Sequence, residues 1–146
     1  MTCCDIEEVF DTQNNLIKEY THWKTLVRNR NSTLGNCVVI MKRHVERFAD
    51  ATPEEMTEFQ QVVNELENAL KETFNYTKIN WMMLMMKDKH VHFHVLPRYE
   101  KTIIFANQEW EDNAWPRMAA IFTEKKDPIP QDIINQMRDA IKANIQ

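Results

Sequence analysis

The sequence predicts an α+β fold, with an antiparallel sheet of about five strands and a long helix and a C-terminal helix packed on it. Three observations carry this. Short apolar runs of strand character stand at Cys37–Met41, Lys78–Met86 and His90–Leu96. One long helical stripe separates the first run from the other two. Between the last two runs lie only Lys87, Asp88 and Lys89, a connection short enough to imply an antiparallel hairpin. Strands and helices are segregated along the chain, so a doubly wound parallel sheet is not expected.

Each element has a local reason. The N-terminal dozen or so residues read as a short helix, and Tyr20–Val27 reads as a strand. The polar segment from Arg28 to Thr33 leads to a turn at Leu34-Gly35. Cys37–Met41 (CVVIM) is continuously apolar, as a strand buried on both faces must be. Thr52-Pro53-Glu54-Glu55 is a capping box with proline at the first helical position, where its missing N–H costs nothing. Met56, Phe59, Val63, Leu66 and Leu70 follow at helical spacing, widened by Val62 and Ala69, and carry the helix to about Phe74. Lys78–Met86 is apolar on both faces, which predicts a central strand with methionines as core filler. Pro97 is expected to end the ladder, and Tyr99–Phe105 to add a further edge. Ile133, Ile134, Met137 and Ile141 make the C-terminal helix amphipathic. The whole is expected to be one domain over residues 1–146, with a core at about 20–105 and an extension whose helix covers about 131–143.

Composition narrows the function. The 146 residues are 43% hydrophobic and 27% charged, with a formal net charge of −4, so no global basic field favours nucleic acid. The single glycine, Gly35, rules out a Walker loop or a dinucleotide fingerprint. Cys3, Cys4 and Cys37 make no disulfide framework and have no zinc-finger spacing. Acidic Asp5, Glu7 and Glu8 stand where a signal peptide would be basic, and the longest apolar run, Trp81–Met86, is too short to span a bilayer. These features predict a soluble protein of the reducing cytoplasm.

The chemistry concentrates at His90, His92 and His94, three of the five histidines. In a strand, residues two apart share a face and stand about 7 Å apart. Val91, Phe93 and Val95 would then face the core while three imidazoles line the opposite side. Packing alone gives no reason for such a row. Zinc is one reading, with two of the histidines joined by His44 or an acidic side chain, although three imidazoles spread over about 13 Å cannot all reach one ion. Nucleophilic catalysis at phosphorus is another, because a neutral imidazole can displace a leaving group and form a phosphoramidate that water cleaves.

His90-Val91-His92-Phe93-His94-Val95-Leu96 resembles the histidine triad pattern, His-φ-His-φ-His-φ-φ, without a substitution. Pro97-Arg98 continues it as in the fragile-histidine-triad and diadenosine-polyphosphate hydrolase branch. Leu26-Val27, Leu34-Gly35, Val38-Val39 and Val45-Glu46-Arg47-Phe48 are similar to that branch in order and spacing, so the resemblance covers about residues 20–100. It implies a nucleotide hydrolase or transferase that releases a nucleoside monophosphate, with adenine the expected base. His92 would be the nucleophile, with its other ring nitrogen held by a backbone carbonyl. His94 would contact the phosphate oxygens and His90 would support the network. The resemblance also implies a small-molecule nucleotide partner and a homodimer with an extended sheet. No intrinsic cofactor or metal is expected; Mg²⁺ would enter only through the substrate's phosphates. A low-turnover nucleotide-sensing protein is the non-enzymatic counterpart of this reading.

Three departures from the pattern accompany the match. Asn36 stands where many members have a histidine supporting the first triad histidine, and it is expected, with Arg28, to contact substrate. Arg28 occupies the position that often carries an acidic or amide group for the ribose, with Asn29 adjacent. Met86-Lys87-Asp88-Lys89 replaces the Gly-Gln-Ser/Thr loop that usually precedes the triad. His44, in Lys42-Arg43-His44, also resembles a family position, and His22 has no assigned role.

Overall fold

The computed structural model describes residues 5–119 and 128–146. The first of its elements differ from expectation. Two single-turn helices, α1 (Ile6–Val9) and α2 (Thr12–Asn15), are followed by a strand β1 (Leu16–Glu19) and then by β2 (Trp23–Val27). The run from Tyr20 therefore does not begin one strand. It contains the turn of a hairpin, closed by the Tyr20 N–H donating to the Trp23 carbonyl at 2.7 Å. Thr21 and His22 donate their backbone N–H groups to the Glu58 carboxylate, so this turn is tied to a distant helix that local pattern cannot reveal.

β3 (Cys37–Met41) is buried at every position, as its continuous apolar run requires. The long helix α3 spans Pro53–Phe74 behind the expected cap: Thr52 Oγ1 accepts from the Glu55 N–H at 3.1 Å, and Glu55 accepts from the Thr52 N–H at 2.8 Å. Arg43 hydrogen-bonds the Glu55 carboxylate and is the main reason its pKa falls to about 2. The stripe that α3 buries runs through Val62, Leu66, Ala69, Leu70 and Phe74, whereas Met56 is exposed.

β4 covers only Lys78–Met82, and β5 covers His92–Arg98. The five strands pair antiparallel throughout in the order β1-β2-β3-β5-β4. β4 is thus an edge strand, not a central one, and its residues are at most half-buried. Residues 83–91 leave the ladder as a long loop, with Met85 at φ +51°, outside strand geometry. The methionine run gave the right composition for a buried strand but not its position. Pro97 does not end the ladder; it pairs with Ile79 of β4. Its carbonyl points to the other side and accepts from Thr33 Oγ1 at 2.6 Å, where the pairing with β3 has already stopped at Val95. The missing proline N–H therefore removes no sheet hydrogen bond.

β6 (Ile103–Phe105) and β7 (Gln108–Trp110) form a separate two-stranded hairpin instead of a sixth edge of the main sheet. Its turn residues, Ala106 and Asn107, both have positive φ (+53° and +59°), as a tight hairpin turn demands. α4 (Gln131–Ala143) buries Ile133, Ile134, Met137 and Ile141 against α3, β1 and β2. Both long helices thus lie on one face of the sheet, over the main core. Among the described residues, no helix is long and apolar enough to cross a membrane.

Candidate functional site

The alternation of β5 divides its side chains as the sequence requires. Phe93 and Val95 enter the main core beneath α3, together with Val91 just ahead of the strand. His92 and His94 point to the opposite face, where their direct neighbours on β3 are Ile40 and Val38. Leu26, paired with Val38 on β2, extends the row. All three triad histidines are nearly enclosed, with 3%, 4% and 8% exposure for His90, His92 and His94.

The cover comes from a segment that sequence reasoning did not connect with the site. Ile6 of α1 packs with Leu26, Val38 and Ile40, and Phe10 joins this cluster. The Phe10 ring centroid lies 5.9 Å from that of His92 and 5.8 Å from that of His94. The i, i+4 spacing of Ile6 and Phe10 was the available signal. It marks an apolar face but does not say what lies under it.

Each ring has a distinct environment. His92 Nδ1 donates to the His90 carbonyl at 2.6 Å. A carbonyl can only accept, so the proton sits on Nδ1 and the neutral ring keeps its lone pair on Nε2. His90 lies just before β5, held by its backbone N–H donating to Asp88 Oδ1 at 3.0 Å. Its Nε2 donates to the Met41 carbonyl, which leaves Nδ1 as acceptor for His44 Nδ1 at 3.0 Å. The other nitrogen of His44 is 3.5 Å from Glu46. His44 is therefore joined to the triad network and is not simply a surface residue. Burial holds His90 below the ordinary histidine pKa, against the pull of the Met41 carbonyl.

His94 differs. Its Nδ1 is buried and has no hydrogen-bond partner among the described residues. Burial is the largest cause pushing its pKa down to about 3, followed by the positive charge of Arg28 and the neighbouring His92. The ring stands edge-on to His92, with centroids 5.3 Å apart.

The two residues expected to contact substrate separate. Arg28 continues β2 past Val27, and its N–H donates to the Asn36 carbonyl at 2.9 Å. Since Leu26 lies on the histidine face, Arg28 is the next residue of that face. Asn36 is fully buried, and its side chain is spent within its own loop. It accepts from the Ser32 N–H and donates to Thr33 Oγ1, both at 2.7 Å. It makes no contact with His90. The register sets it beyond Val38, at the far end of the row from His90, which is why the expected support for the first histidine is supplied by His44 instead.

Farther along the chain, Arg98 at the end of β5 is clamped by Asp112, at 2.6 and 3.1 Å, and by Asn80 at 3.0 Å. The side chains of this ion pair are only 4% and 1% exposed. Asp112 also accepts from the Tyr99 N–H. Its hydrogen bonds, led by that from Arg98, hold its carboxyl below the usual range despite burial. His22 lies away from the triad, in an open pocket with Glu54, Glu58 and Gln61. Among the described residues, no three His, Cys, Asp or Glu side chains are grouped so as to hold a metal ion.

Residues 9–101 match the family model of the HIT domain. The chain belongs to the HIT family. An uncharacterized HIT-like protein of Methanocaldococcus jannaschii is 33% identical over 70 residues, which is 45% of this chain and 54% of that protein. Among solved structures, a histidine triad (HIT) protein of Sinorhizobium meliloti superposes with a TM-score of 0.77 at 18% identity, covering 99% of this chain and 96% of that one. The Plasmodium falciparum diadenosine triphosphate hydrolase, solved with Cyclomarin A, gives 0.64 at 14% identity over 90% of this chain and 76% of that one. At these identities the likeness is one of fold: the same mixed α+β architecture with its five-stranded antiparallel sheet.

Proposed function

We propose that this HIT protein cleaves or transfers a nucleoside monophosphate from a phosphoanhydride or phosphoramidate, through a nucleotidyl-histidine intermediate on His92. The observation that carries this reading is the hydrogen bond from His92 Nδ1 to the His90 carbonyl. It holds the imidazole in the one neutral tautomer whose Nε2 can attack. The Nε2 lone pair forms a bond to the α-phosphorus, and the bond from phosphorus to the leaving group breaks. The leaving group departs with that electron pair and takes up a proton. The same carbonyl then faces the Nδ1–H of a cationic, phosphorylated ring and stabilises it. Water attacks the phosphorus and gives up a proton to solvent, offsetting the one the leaving group took up; the P–N bond breaks, the neutral imidazole is restored and a nucleoside monophosphate is released.

In this scheme His94 lies against the phosphate oxygens, and His90, held by His44 and Met41, presents the carbonyl that orients the nucleophile. No resident metal is needed, and Mg²⁺ would act only through the substrate's own phosphates. The fold shared with the Plasmodium falciparum diadenosine triphosphate hydrolase makes dinucleoside polyphosphates the first class to assay, with adenine as the first base. The reading extends to a homodimer in a reducing cytoplasm.

The test is covalent trapping. After rapid quench with an α-³²P-labelled substrate, acid-labile and base-stable label is expected on wild-type protein and never on His92→Ala. That variant should also lose several orders of magnitude in kcat, because only the nucleophile carries the intermediate. Label that persists on His92→Ala, or maps to His90 or His94, overturns the mechanism.

A further inference from the structure

Arg28 differs from the ion-paired cations of this chain. Lys18, Lys24, Lys42, Arg43, Arg47, Arg98 and Arg138 each lie within salt-bridge distance of a carboxylate. Arg28 pairs with none among the described residues, although burial is the main influence on its guanidinium and a second positive charge, Arg30, lies nearby. A desolvated guanidinium without a counterion is unfavourable unless a ligand supplies the anion. Its place in the sheet says where that anion would sit. Leu26, Val38 and His94 form one row across β2, β3 and β5, and Arg28 with Asn36 begins the next row, on the side away from His90. One row is about 7 Å along the strands. The second observation is independent of the first. His94, the ring of that row, is more than nine-tenths buried and keeps an unpartnered Nδ1.

The chemistry of the triad leaves the same gap. His90 and His94 are both held toward the neutral state by burial, so they offer hydrogen bonds to a phosphate but little charge. Fixed positive charge on this side of the row comes from Arg28, with Arg30 nearby. An arginine is suited to this place because its planar fork binds two phosphate oxygens at once and keeps its charge where a lysine or histidine would lose it.

We propose that Arg28, with the His94 ring, forms an anion subsite for a second phosphate of the ligand. By this subsite the protein selects nucleotides that carry a phosphate group beyond the one attacked at His92. The inference rests on the reading of His92 as the phosphorus-binding centre and names the substrate class of that same site. The second phosphate has two chemical sources: the next group of a phosphoanhydride chain, or a phosphate on the ribose.

Calorimetric binding of product-like ligands tests this without any turnover, so its failure is separable from failure of the covalent mechanism. The probes are adenosine 5′-monophosphate, adenosine 5′-diphosphate, and adenosine 2′,5′- and 3′,5′-bisphosphate, with the matching guanine and cytosine series. At least one doubly phosphorylated ligand is expected to bind about tenfold to a hundredfold tighter than its monophosphate, the range of a charge-assisted hydrogen-bond pair. The diphosphate winning assigns the subsite to the anhydride chain, and a bisphosphate winning assigns it to the ribose. Arg28→Gln should bring the preference to near unity, and Arg28→Lys should keep part of it. In wild-type protein the preference should shrink as salt rises, a measurement that stands even if the variants fold poorly. Equal binding of mono- and doubly phosphorylated ligands in every series, no binding of any doubly phosphorylated one, or a preference that survives Arg28→Gln overturns the proposal.

Discussion

Replacing the chain's one glycine probes how the loop beside Arg28 is held. Gly35 has φ +81°, and a Cβ built on it would lie 2.7 and 2.8 Å from two carbons of the Phe74 ring. That ring ends α3, is 2% exposed, and packs edge-on against Phe105 with centroids 5.2 Å apart, so it has little room to withdraw. Gly35→Ala therefore meets two costs. The left-handed backbone costs an L-residue about 1–2 kcal/mol, and forcing a methyl group into a packed core costs about 1–3 kcal/mol. The sum, about 2–5 kcal/mol, would lower Tm by roughly 4–20 °C in a protein of this size. Urea denaturation should show a lower midpoint with an unchanged slope, since the fold itself is retained. A double-mutant cycle with Phe74→Ala separates the two costs. Removing the ring should recover about 1–3 kcal/mol of the glycine effect as a coupling energy. A Gly35→Ala protein within about 0.5 kcal/mol of wild type would refute the reasoning. Full destabilisation with no coupling to Phe74 would refute the steric half of it.

Two further outcomes follow from the same geometry. Phe10→Ala should uncover the triad: carbethoxylation of His92 and His94, read by mass spectrometry, is expected to proceed severalfold faster than in wild type, and equal rates would show that Phe10 is not the cover. Acid should destabilise the protein before its carboxylates titrate, because His94 stays neutral in the folded state down to about pH 3 while an unfolded histidine takes up a proton near pH 6.5. The unfolded state then binds more protons, so stability falls as pH drops below about 6.5. From pH 7.5 to 5 this one residue accounts for about 2 kcal/mol, and His94→Gln should lose correspondingly less over that range in parallel urea titrations.

Much of the site was legible before any coordinates, because strand geometry is local. An alternation of two places Phe93 and Val95 on one face and His92 and His94 on the other, whatever else the chain does. The capping box at Thr52 and Glu55 is legible for the same reason, since the groups that satisfy the backbone there are a few residues away. What the sequence could not decide depended on partners far along the chain. Lys78–Met86 has the composition of a central strand, yet which strand takes the centre is settled by pairing, and β3 and β5 meet there because both have two apolar or satisfied faces to bury. Pro97 reads as a terminator until the end of β3 leaves its nitrogen with no acceptor to serve. His44 and His90 lie 46 residues apart and meet only when β3 lies alongside β5. Phe10 reaches His92 only when α1 folds across the sheet. Periodicity determines which way a side chain faces; the burial of the whole chain decides what it faces.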